Sequence, residues 1–291
     1  MTKPIRKAVL PVAGLGTRVL PGAKTTPKNL LNVVDRPILS YVVAEARAAG
    51  IEHLIFITGR GQGAIEDYFD HHVELEAQLA AKGKTEILAD VMAELGKPGE
   101  MSFVRQMQPL GLGHAVWCAR DLIGEEPFAV MLPDMLMMAS PGALSQAVAT
   151  YEAVGGNIIV VEPAPEGETH KYGICALGQR DGRRAQLTGM VEKPPLGTEP
   201  SNLFISGRYI LQPEIFALLG AHQTGAGGEI QLTDAMVRLM ATQPFHALEY
   251  DGVTYDCGDK IGLLRANVAY ALARPDLEGA ARSAIEALLR A

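Results

Sequence analysis

The chain has 291 residues, of which 48% are hydrophobic and 20% charged, and its formal net charge is −7. A chain of this length can bury a full core, as one large domain or as one domain with an appendage. The negative balance argues against general electrostatic attraction to nucleic acid or to an anionic membrane, so we expect neither as a partner. An anionic substrate would have to be held by individually placed arginine and lysine side chains.

The cysteine pattern and the length of the apolar runs predict a cytoplasmic protein. Three widely separated cysteines, Cys118, Cys175 and Cys257, have no metal-ligand or redox spacing, which fits a reducing compartment. The apolar stretch that follows Lys7 is broken by Pro11 and is too short for a secretory signal. No apolar run approaches the roughly 20 residues that span a bilayer.

Short apolar runs alternate with segments of helical periodicity, which is typical of a mostly parallel sheet with helices on both faces. Strands are predicted at residues 7–12, 53–58, 102–105, 126–132 and 157–161, and helices at 38–49, 63–69, 73–95, 113–122 and 141–154. Further strands at 172–177, 186–192 and 204–211 are separated by turns, and we expect them to extend the same sheet in a mixed, partly antiparallel way. The prediction is an α/β domain over residues 1–273 and a helical C-terminal appendage over 274–291.

Glycines after the first predicted strand indicate an anion-binding turn. Gly14 and Gly16 follow the apolar run, and Arg18 and Lys28 come soon after them. Glycine allows backbone N–H groups to approach an anion closely. A dinucleotide-binding loop would need a third glycine where Val19 stands, and no Walker sequence occurs here. The pattern favours a triphosphate held by backbone donors and two cations.

A signature loop and five further groups of residues resemble the sugar-1-phosphate nucleotidylyltransferase family. The loop is PVAGLGTR at 11–18 with PK at 27–28. The further groups are RQ at 105–106 with PLGLGHA at 109–115, LPD at 132–134, VEKP at 191–194, GRY at 207–209, and GEIQLTDA at 228–235 with YDCG at 255–258. They follow the family's order along nearly the whole chain. The resemblance implies a Rossmann-like mixed, mostly parallel sheet flanked by helices, of the nucleotide-diphospho-sugar transferase type.

The resemblance also implies a reaction. The phosphate oxygen of α-D-glucose 1-phosphate attacks the α-phosphorus of UTP, and UDP-glucose and pyrophosphate are formed. No covalent intermediate on the enzyme is needed, so catalysis is mainly positioning and charge neutralisation. In this sequence the family pattern places Arg18 and Lys28 on the triphosphate and Lys193 on the sugar phosphate. It places Mg²⁺ on Asp134 and Asp256.

The family pattern assigns the remaining binding residues by position. The residues expected to bind the nucleotide are Ala13, Gly14, Gln106 and Gly111, and those expected to bind the sugar are Gly173, Glu192 and Lys193. Structural alternatives remain open, because Asp134 or Asp256 could cap a helix and Gln106 could be an ordinary exposed side chain. Residues 231–235 are assigned a mainly structural role, and His114 the role of orienting its loop. The family's habit implies a homo-oligomer, a dimer or a tetramer.

One departure from the family pattern bears on the choice of nucleotide. Asn29 stands where the family commonly has an acidic residue, and its amide could meet the edge of uracil. A preference for dTTP is therefore an alternative, since thymine differs from uracil by one methyl group. A non-catalytic sensor of sugar nucleotides on the same fold is the alternative from another functional class.

Overall fold

A computed structural model describes residues 2–290 and contains the predicted alternation of strands and helices. The strands are β1 Lys7–Pro11, β2 Asn32–Val33, β3 Arg36–Pro37, β4 His53–Thr58, β5 Met101–Arg105, β6 Phe128–Met131, β7 Met135–Met138, β8 Asn157–Pro163, β9 Gly173–Asp181, β10 Arg184–Glu192, β11 Leu203–Leu211, β12 Phe245–Glu249 and β13 Val253–Asp256. The helices are α1 Ile38–Ala48, α2 Gly63–Tyr68, α3 Val73–Ala81, α4 Thr85–Glu94, α5 Leu112–Trp117, α6 Arg120–Ile123, α7 Ala143–Val154, α8 Ile215–Leu219, α9 Leu232–Leu239, α10 Lys260–Ala273 and α11 Glu278–Arg290. None of the helices within residues 2–290 is both long and apolar enough to cross a membrane.

Nine strands form one sheet in the order β5-β4-β1-β6-β11-β8-β12-β10-β9. The pairings make β5, β4, β1, β6, β8 and β12 parallel to one another, whereas β11 runs antiparallel between β6 and β8. Strands β9 and β10 add an antiparallel hairpin at one edge. The prediction of a mixed, mostly parallel sheet is confirmed, and so is the prediction that the second half of the chain extends it.

Two hydrophobic clusters cover the two faces of the sheet. In β1 the side chains of Ala8 and Leu10 belong to one cluster and Val9 to the other, as the two-residue period of a strand requires. Helix α1 packs on the first face through apolar residues such as Leu39 and Val42, both almost completely buried. Strands that are covered on both faces consist of nearly continuous apolar residues. The sequence therefore predicted the strands β1, β4 and β6.

Two predicted helices are each divided in the structure. The helix expected over residues 73–95 is the pair α3 and α4, separated at residues 82–84, where Gly83 has a φ of +64°. A left-handed residue ends an α-helix, and glycine adopts that conformation readily. The helix expected over residues 113–122 is likewise divided into α5 and α6.

Arg208 on β11 is completely buried and holds the segment between β6 and β7. Its guanidinium pairs with Glu45 on α1 at 2.7 Å, and it donates to the carbonyls of Leu132 at 3.0 Å and Met135 at 2.9 Å. Glu45 also accepts from the backbone N–H of Leu144 at the start of α7. One charged pair therefore joins two helices, a central strand and the loop after β6.

A partly buried carboxyl group contacts the small sheet formed by β7 and β13. Glu162 on β8 is hydrogen-bonded to Thr254, and the hydroxyl of Thr254 lies 2.5 Å from that of Tyr250. The Oε1 atom of Glu162 is shielded from solvent and has no hydrogen-bond partner. Burial raises the pKa of Glu162 to about 7, and the hydrogen bond with Thr254 only partly opposes this. The folded protein therefore favours the protonated form of this carboxyl group.

We expect Arg208→Met to destabilise the protein by about 3–5 kcal/mol, because it leaves the buried carboxylate of Glu45 without its cation. Denaturant unfolding followed by circular dichroism measures this free energy. The control is Arg183→Ala, which breaks the exposed pair of Arg183 and Asp251 and should change stability by less than about 0.5 kcal/mol. An Arg208→Met variant that unfolds at the wild-type midpoint would contradict the role of the buried pair.

We expect Glu162→Gln to stabilise the protein increasingly as the pH rises. The pKa in the folded state lies above the ordinary value of 4.5, so wild-type stability falls between about pH 4.5 and about pH 7 as folding has to accommodate an ionised group. The amide of glutamine does not ionise, so the stability of the variant does not fall in this pH range. Discounted for partial exposure, the advantage should reach roughly 1–2 kcal/mol at pH 8. Urea unfolding at pH 5 and pH 8 measures it, with Glu152→Gln on the exposed side of α7 as control.

Candidate active site

The glycine turn after β1 closes onto the side chain of Lys28. Gly16 has a φ of +65°, a conformation that side-chain-bearing residues rarely adopt. A Cβ atom added there would lie 2.9 Å from Cβ of Lys28, and one added at Gly14 would lie 3.5 Å from its Cε. Gly16 therefore lets the backbone turn pass directly over the lysine, whereas a Cβ at Gly14 would make an ordinary van der Waals contact.

Four of the predicted residues form one charged cluster at the end of β1 and β6. Nζ of Lys28 lies 2.5 Å from Oδ2 of Asp134. The guanidinium of Arg18 donates to Oδ2 of Asp256 at 3.1 Å and lies 3.9 Å from Oδ2 of Asp134. The structure thus brings together two cations and two carboxylates that are up to 238 positions apart in the sequence.

The small sheet of β7 and β13 aligns the two carboxylates. Met135, the residue after Asp134, is the register partner of Asp256, and the N–H of Cys257 donates to the carbonyl of Asp134 at 2.8 Å. A Cβ atom at Gly258 would lie 2.8 Å from Oδ1 of Asp256 and 2.9 Å from Oδ2 of Asp134. Glycine at position 258 therefore leaves room for the two carboxylates and Arg18, which a larger residue would have to displace. The YDCG motif contained this role, but sequence analysis did not assign it.

The two carboxylates have opposite pKa shifts. Burial alone would raise the pKa of Asp134, but the charge and hydrogen bond of Lys28, together with Arg18, outweigh it and hold this pKa below its ordinary value. Burial and then the negative charge of Asp134 raise the pKa of Asp256, and Arg18 only partly offsets them. Asp134 is therefore the more acidic member of the pair.

The helix-capping alternative for Asp256 is wrong, because Asp259 caps α10 by accepting from the N–H of Gly262.

A pair of adjacent carboxylates suits a hard divalent cation, which protein sites commonly hold through one or two carboxylates together with substrate phosphates. Within residues 2–290, histidine, cysteine and acidic side chains nowhere gather in groups of three or more that could hold a metal. Asp134 and Asp256 are thus the residues of this cluster that could serve as ligands.

Gln106 lies at the end of β5, on the same edge of the sheet, and only 8% of it is exposed. Its Nε2 lies 3.2 Å from the carbonyl of Gly111 and 2.9 Å from Nδ1 of His114. Gly111 has a φ of +107°, and a Cβ there would lie 2.9 Å from the carbonyl of Ile230. The alternative that Gln106 is an ordinary exposed residue is wrong.

A third group of predicted residues lies where β9 and β10 pair. Gly173 is the register partner of Glu192, and Lys193 follows with a φ of +47°. Oε2 of Glu192 accepts from the hydroxyl of Thr233 at 2.8 Å, and Nζ of Lys193 lies 3.7 Å from Oε1. A Cβ at Gly173 would lie 3.0 Å from Oε2 of Glu192. Thr233 was given a mainly structural role from the sequence, yet it contacts a predicted sugar-binding side chain directly.

The charged cluster and the third group both influence the side chain of Tyr209. It is buried on β11, and its pKa is raised first by burial and then by nearby negative charges that include Glu192 and Asp134. Both carboxylates are therefore close to the same side chain. The two groups of predicted residues belong to one region of the molecule.

Asn29 does not occupy the position that the sequence suggested. It is completely buried, and its Nδ2 donates to the carbonyl of Val12 at 3.2 Å, beneath the glycine turn that contains Ala13. Gln62 donates to the same carbonyl at 2.9 Å. The suggestion that the Asn29 amide meets the edge of a base is therefore wrong, because the side chain is buried and hydrogen-bonds to the loop backbone at Val12.

Comparison with known proteins agrees with this geometry. A family model described as nucleotidyl transferase matches residues 7–272. A UTP–glucose-1-phosphate uridylyltransferase of Bacillus subtilis (strain 168) is 47% identical over 287 residues, which are 99% of this chain and 98% of the relative.

Two solved structures are similar over nearly their whole length. A UTP-bound UGPase from Acinetobacter baumannii has a TM-score of 0.89 and 43% identity, covering 97% of this chain and 98% of that one. A UDP-glucose pyrophosphorylase complexed with UDP-glucose has a TM-score of 0.82 and 37% identity, covering 93% of this chain and 100% of that one. By its sequence, its fold and the residues gathered at the ends of β1 and β6, this chain belongs to the nucleotidyl transferase family.

Proposed function

We propose that this protein transfers a uridylyl group from UTP to α-D-glucose 1-phosphate and thereby forms UDP-glucose and pyrophosphate. The observation that carries the proposal is the cluster of Arg18, Lys28, Asp134 and Asp256 at the end of β1 and β6. The relative from Bacillus subtilis is named for this reaction, and the similar structures hold UTP and UDP-glucose. Both comparisons support UTP and the glucosyl group as the substrates.

The protein's part in the reaction is to hold two anions against their mutual repulsion. Arg18 and Lys28 neutralise the triphosphate, and Lys193 neutralises the phosphate of the sugar. In-line attack of the sugar phosphate on the α-phosphorus breaks the bond to pyrophosphate, so no side chain has to act as a covalent nucleophile. These three residues are therefore proposed as the catalytic residues.

Mg²⁺ is the proposed metal, held by Asp134 and Asp256, whose adjacent carboxylates fit its preference for oxygen ligands. When bound, it would supply positive charge to the phosphate oxygens that become more negative during transfer.

The remaining assignments concern orientation of the substrates. Ala13, Gly14, Gln106 and Gly111 are proposed to bind the nucleotide. Gly173 and Glu192 are proposed to bind glucose hydroxyls, since Thr233 leaves Oε1 of Glu192 able to accept a further hydrogen bond.

We also propose residues 1–273 as the catalytic domain, 274–291 as a C-terminal appendage, a cytoplasmic location and a homo-oligomeric state, dimer or tetramer. The oligomer is supported by apolar side chains on α10 and α11 that are largely exposed. These are Ile261 at 66%, Leu264 at 59%, Leu288 at 78% and Leu289 at 83%.

Pyrophosphate release with glucose 1-phosphate and Mg²⁺ tests the proposal directly, run in parallel with UTP, dTTP, CTP, ATP and GTP. We expect the highest kcat/KM with UTP. A higher value with dTTP would keep the chemistry and change the nucleotide, and no release in a sample that binds UDP-glucose would favour a non-catalytic sensor.

The matched variant for this assay is Asp134→Asn, which removes a carboxylate at nearly constant volume. We expect it to keep the fold and to lose at least about a thousandfold in kcat, because the charge that holds the metal is gone. Circular dichroism checks the fold. Wild-type turnover in this variant would contradict the metal assignment.

Lys193→Ala should raise the KM for glucose 1-phosphate about ten- to a hundredfold and leave the KM for UTP nearly unchanged, because a charged hydrogen bond to one substrate is lost. Steady-state kinetics with each substrate varied in turn measures both constants. Lys82→Ala, in the exposed loop after α3, is the control. An increase confined to the KM for UTP would contradict the assignment of Lys193 to glucose 1-phosphate.

A further inference from the structure

The side chain of Gln106 makes both of its hydrogen bonds through nitrogen. Nε2 lies 3.2 Å from the carbonyl oxygen of Gly111 and 2.9 Å from Nδ1 of His114. An amide nitrogen carries two N–H groups, so these two partners use both donors. The carbonyl oxygen Oε1 is left as the group that a ligand can meet.

Chemistry fixes the direction of this amide. The carbonyl of Gly111 can only accept a hydrogen bond, so the atom beside it must be the nitrogen of Gln106. Nδ1 of His114 must then accept as well, which requires a neutral ring with its proton on Nε2. Burial, and to a lesser degree His222, lower the pKa of His114, which favours that neutral ring at pH 7.

The imidazole of His114 belongs to a cluster of three rings with Trp117 and His222. It stacks on Trp117 with a centroid distance of 5.8 Å and lies 5.7 Å from the ring of His222. The N–H of Gly113, the preceding residue, donates to the carbonyl of Ile230 at 2.8 Å and ties the start of α5 to the segment before α9. Nδ1 therefore points at Gln106 from a fixed position.

We propose that His114 is a positioning residue that holds Oε1 of Gln106 toward the nucleotide base, so that the site selects bases with an N–H group at ring position 3. The inference rests on the proposed role of Gln106 in nucleotide binding. Uracil and thymine carry an N3–H donor, which an amide oxygen accepts. Cytosine has an unprotonated N3, an acceptor that would face another acceptor. His114 thus distinguishes UTP and dTTP from CTP without contacting the base.

The test is His114→Phe, which keeps an aromatic ring for stacking and removes the acceptor. Only the longer bond to the carbonyl of Gly111 then keeps the nitrogen of Gln106 turned away from the base, so the reversed amide becomes more populated. We expect the ratio of kcat/KM for UTP to that for CTP to fall about tenfold or more, mainly through a higher KM for UTP. The ratio of UTP to dTTP should stay within about twofold, because both bases carry N3–H.

Two further variants separate this role from a structural one. His114→Gln supplies an amide oxygen as acceptor and should restore the UTP-to-CTP ratio to within about threefold of wild type. In a Gln106→Leu background, His114→Phe should change the ratio no further, since the group through which it acts is absent. His222→Asn removes the neighbouring histidine, which does not bond to Gln106, and should leave the ratio unchanged.

An unchanged UTP-to-CTP ratio in His114→Phe would overturn the proposal, as would an equal fall in the Gln106→Leu background. Titration calorimetry with UTP and CTP gives the same ratio from binding alone. If the wild-type protein binds UTP but releases no pyrophosphate, the proposed reaction is refuted. The UTP-to-CTP binding ratio of His114→Phe, measured by calorimetry, then still tests the proposed role of His114.

Discussion

The buried pair of Arg208 and Glu45 fixes the peptide segment that presents the central carboxylate. The carbonyls of Leu132 and Met135, on either side of Asp134, both accept from the same guanidinium. A buried guanidinium is tolerated only when it is paired and hydrogen-bonded, so the pair with α1 and the loop geometry require each other. Asp134 is therefore held by the interior of the protein, and the rest of the site is arranged around it.

The active-site cluster balances its own charge in a protein that is acidic overall. Asp134 lies close enough to Asp256 to raise its pKa. Lys28 pairs with Asp134, and Arg18 pairs mainly with Asp256. The same two cations are the ones proposed to meet the triphosphate. Long, flexible basic side chains can change partner at little cost when the competing anions are adjacent. The two cations and two carboxylates carry no net charge together, so an anionic substrate does not meet an excess of negative charge in this cluster although the protein is acidic overall.

The sequence predicted those features that depend on local pattern. Buried strands were visible as apolar runs, and Gly14 and Asp134 were predicted after the ends of two of them, where the structure has them. The break at Gly83 was missed because a glycine between two lysines also fits an exposed helix interior. The burial of Asn29 was missed because nothing local indicates which loop will fold over it. Local pattern thus located the site but did not establish which polar groups face into it.

Orientation of the ligand-facing groups depends on partners that the motifs do not link. Thr233, 41 positions from Glu192, occupies one of its carboxylate oxygens and leaves the other. His114 uses up a donor of Gln106 and leaves an acceptor. His114 thereby removes one of the two hydrogen-bonding options of an amide that is proposed to contact the base, whereas Glu192 remains an acceptor at both oxygens. A side chain reduced to one option rejects the ligand that needs the other, because that ligand would leave a polar group unpaired. We therefore expect residues behind the contact surface, such as His114, to contribute to the selectivity of this site.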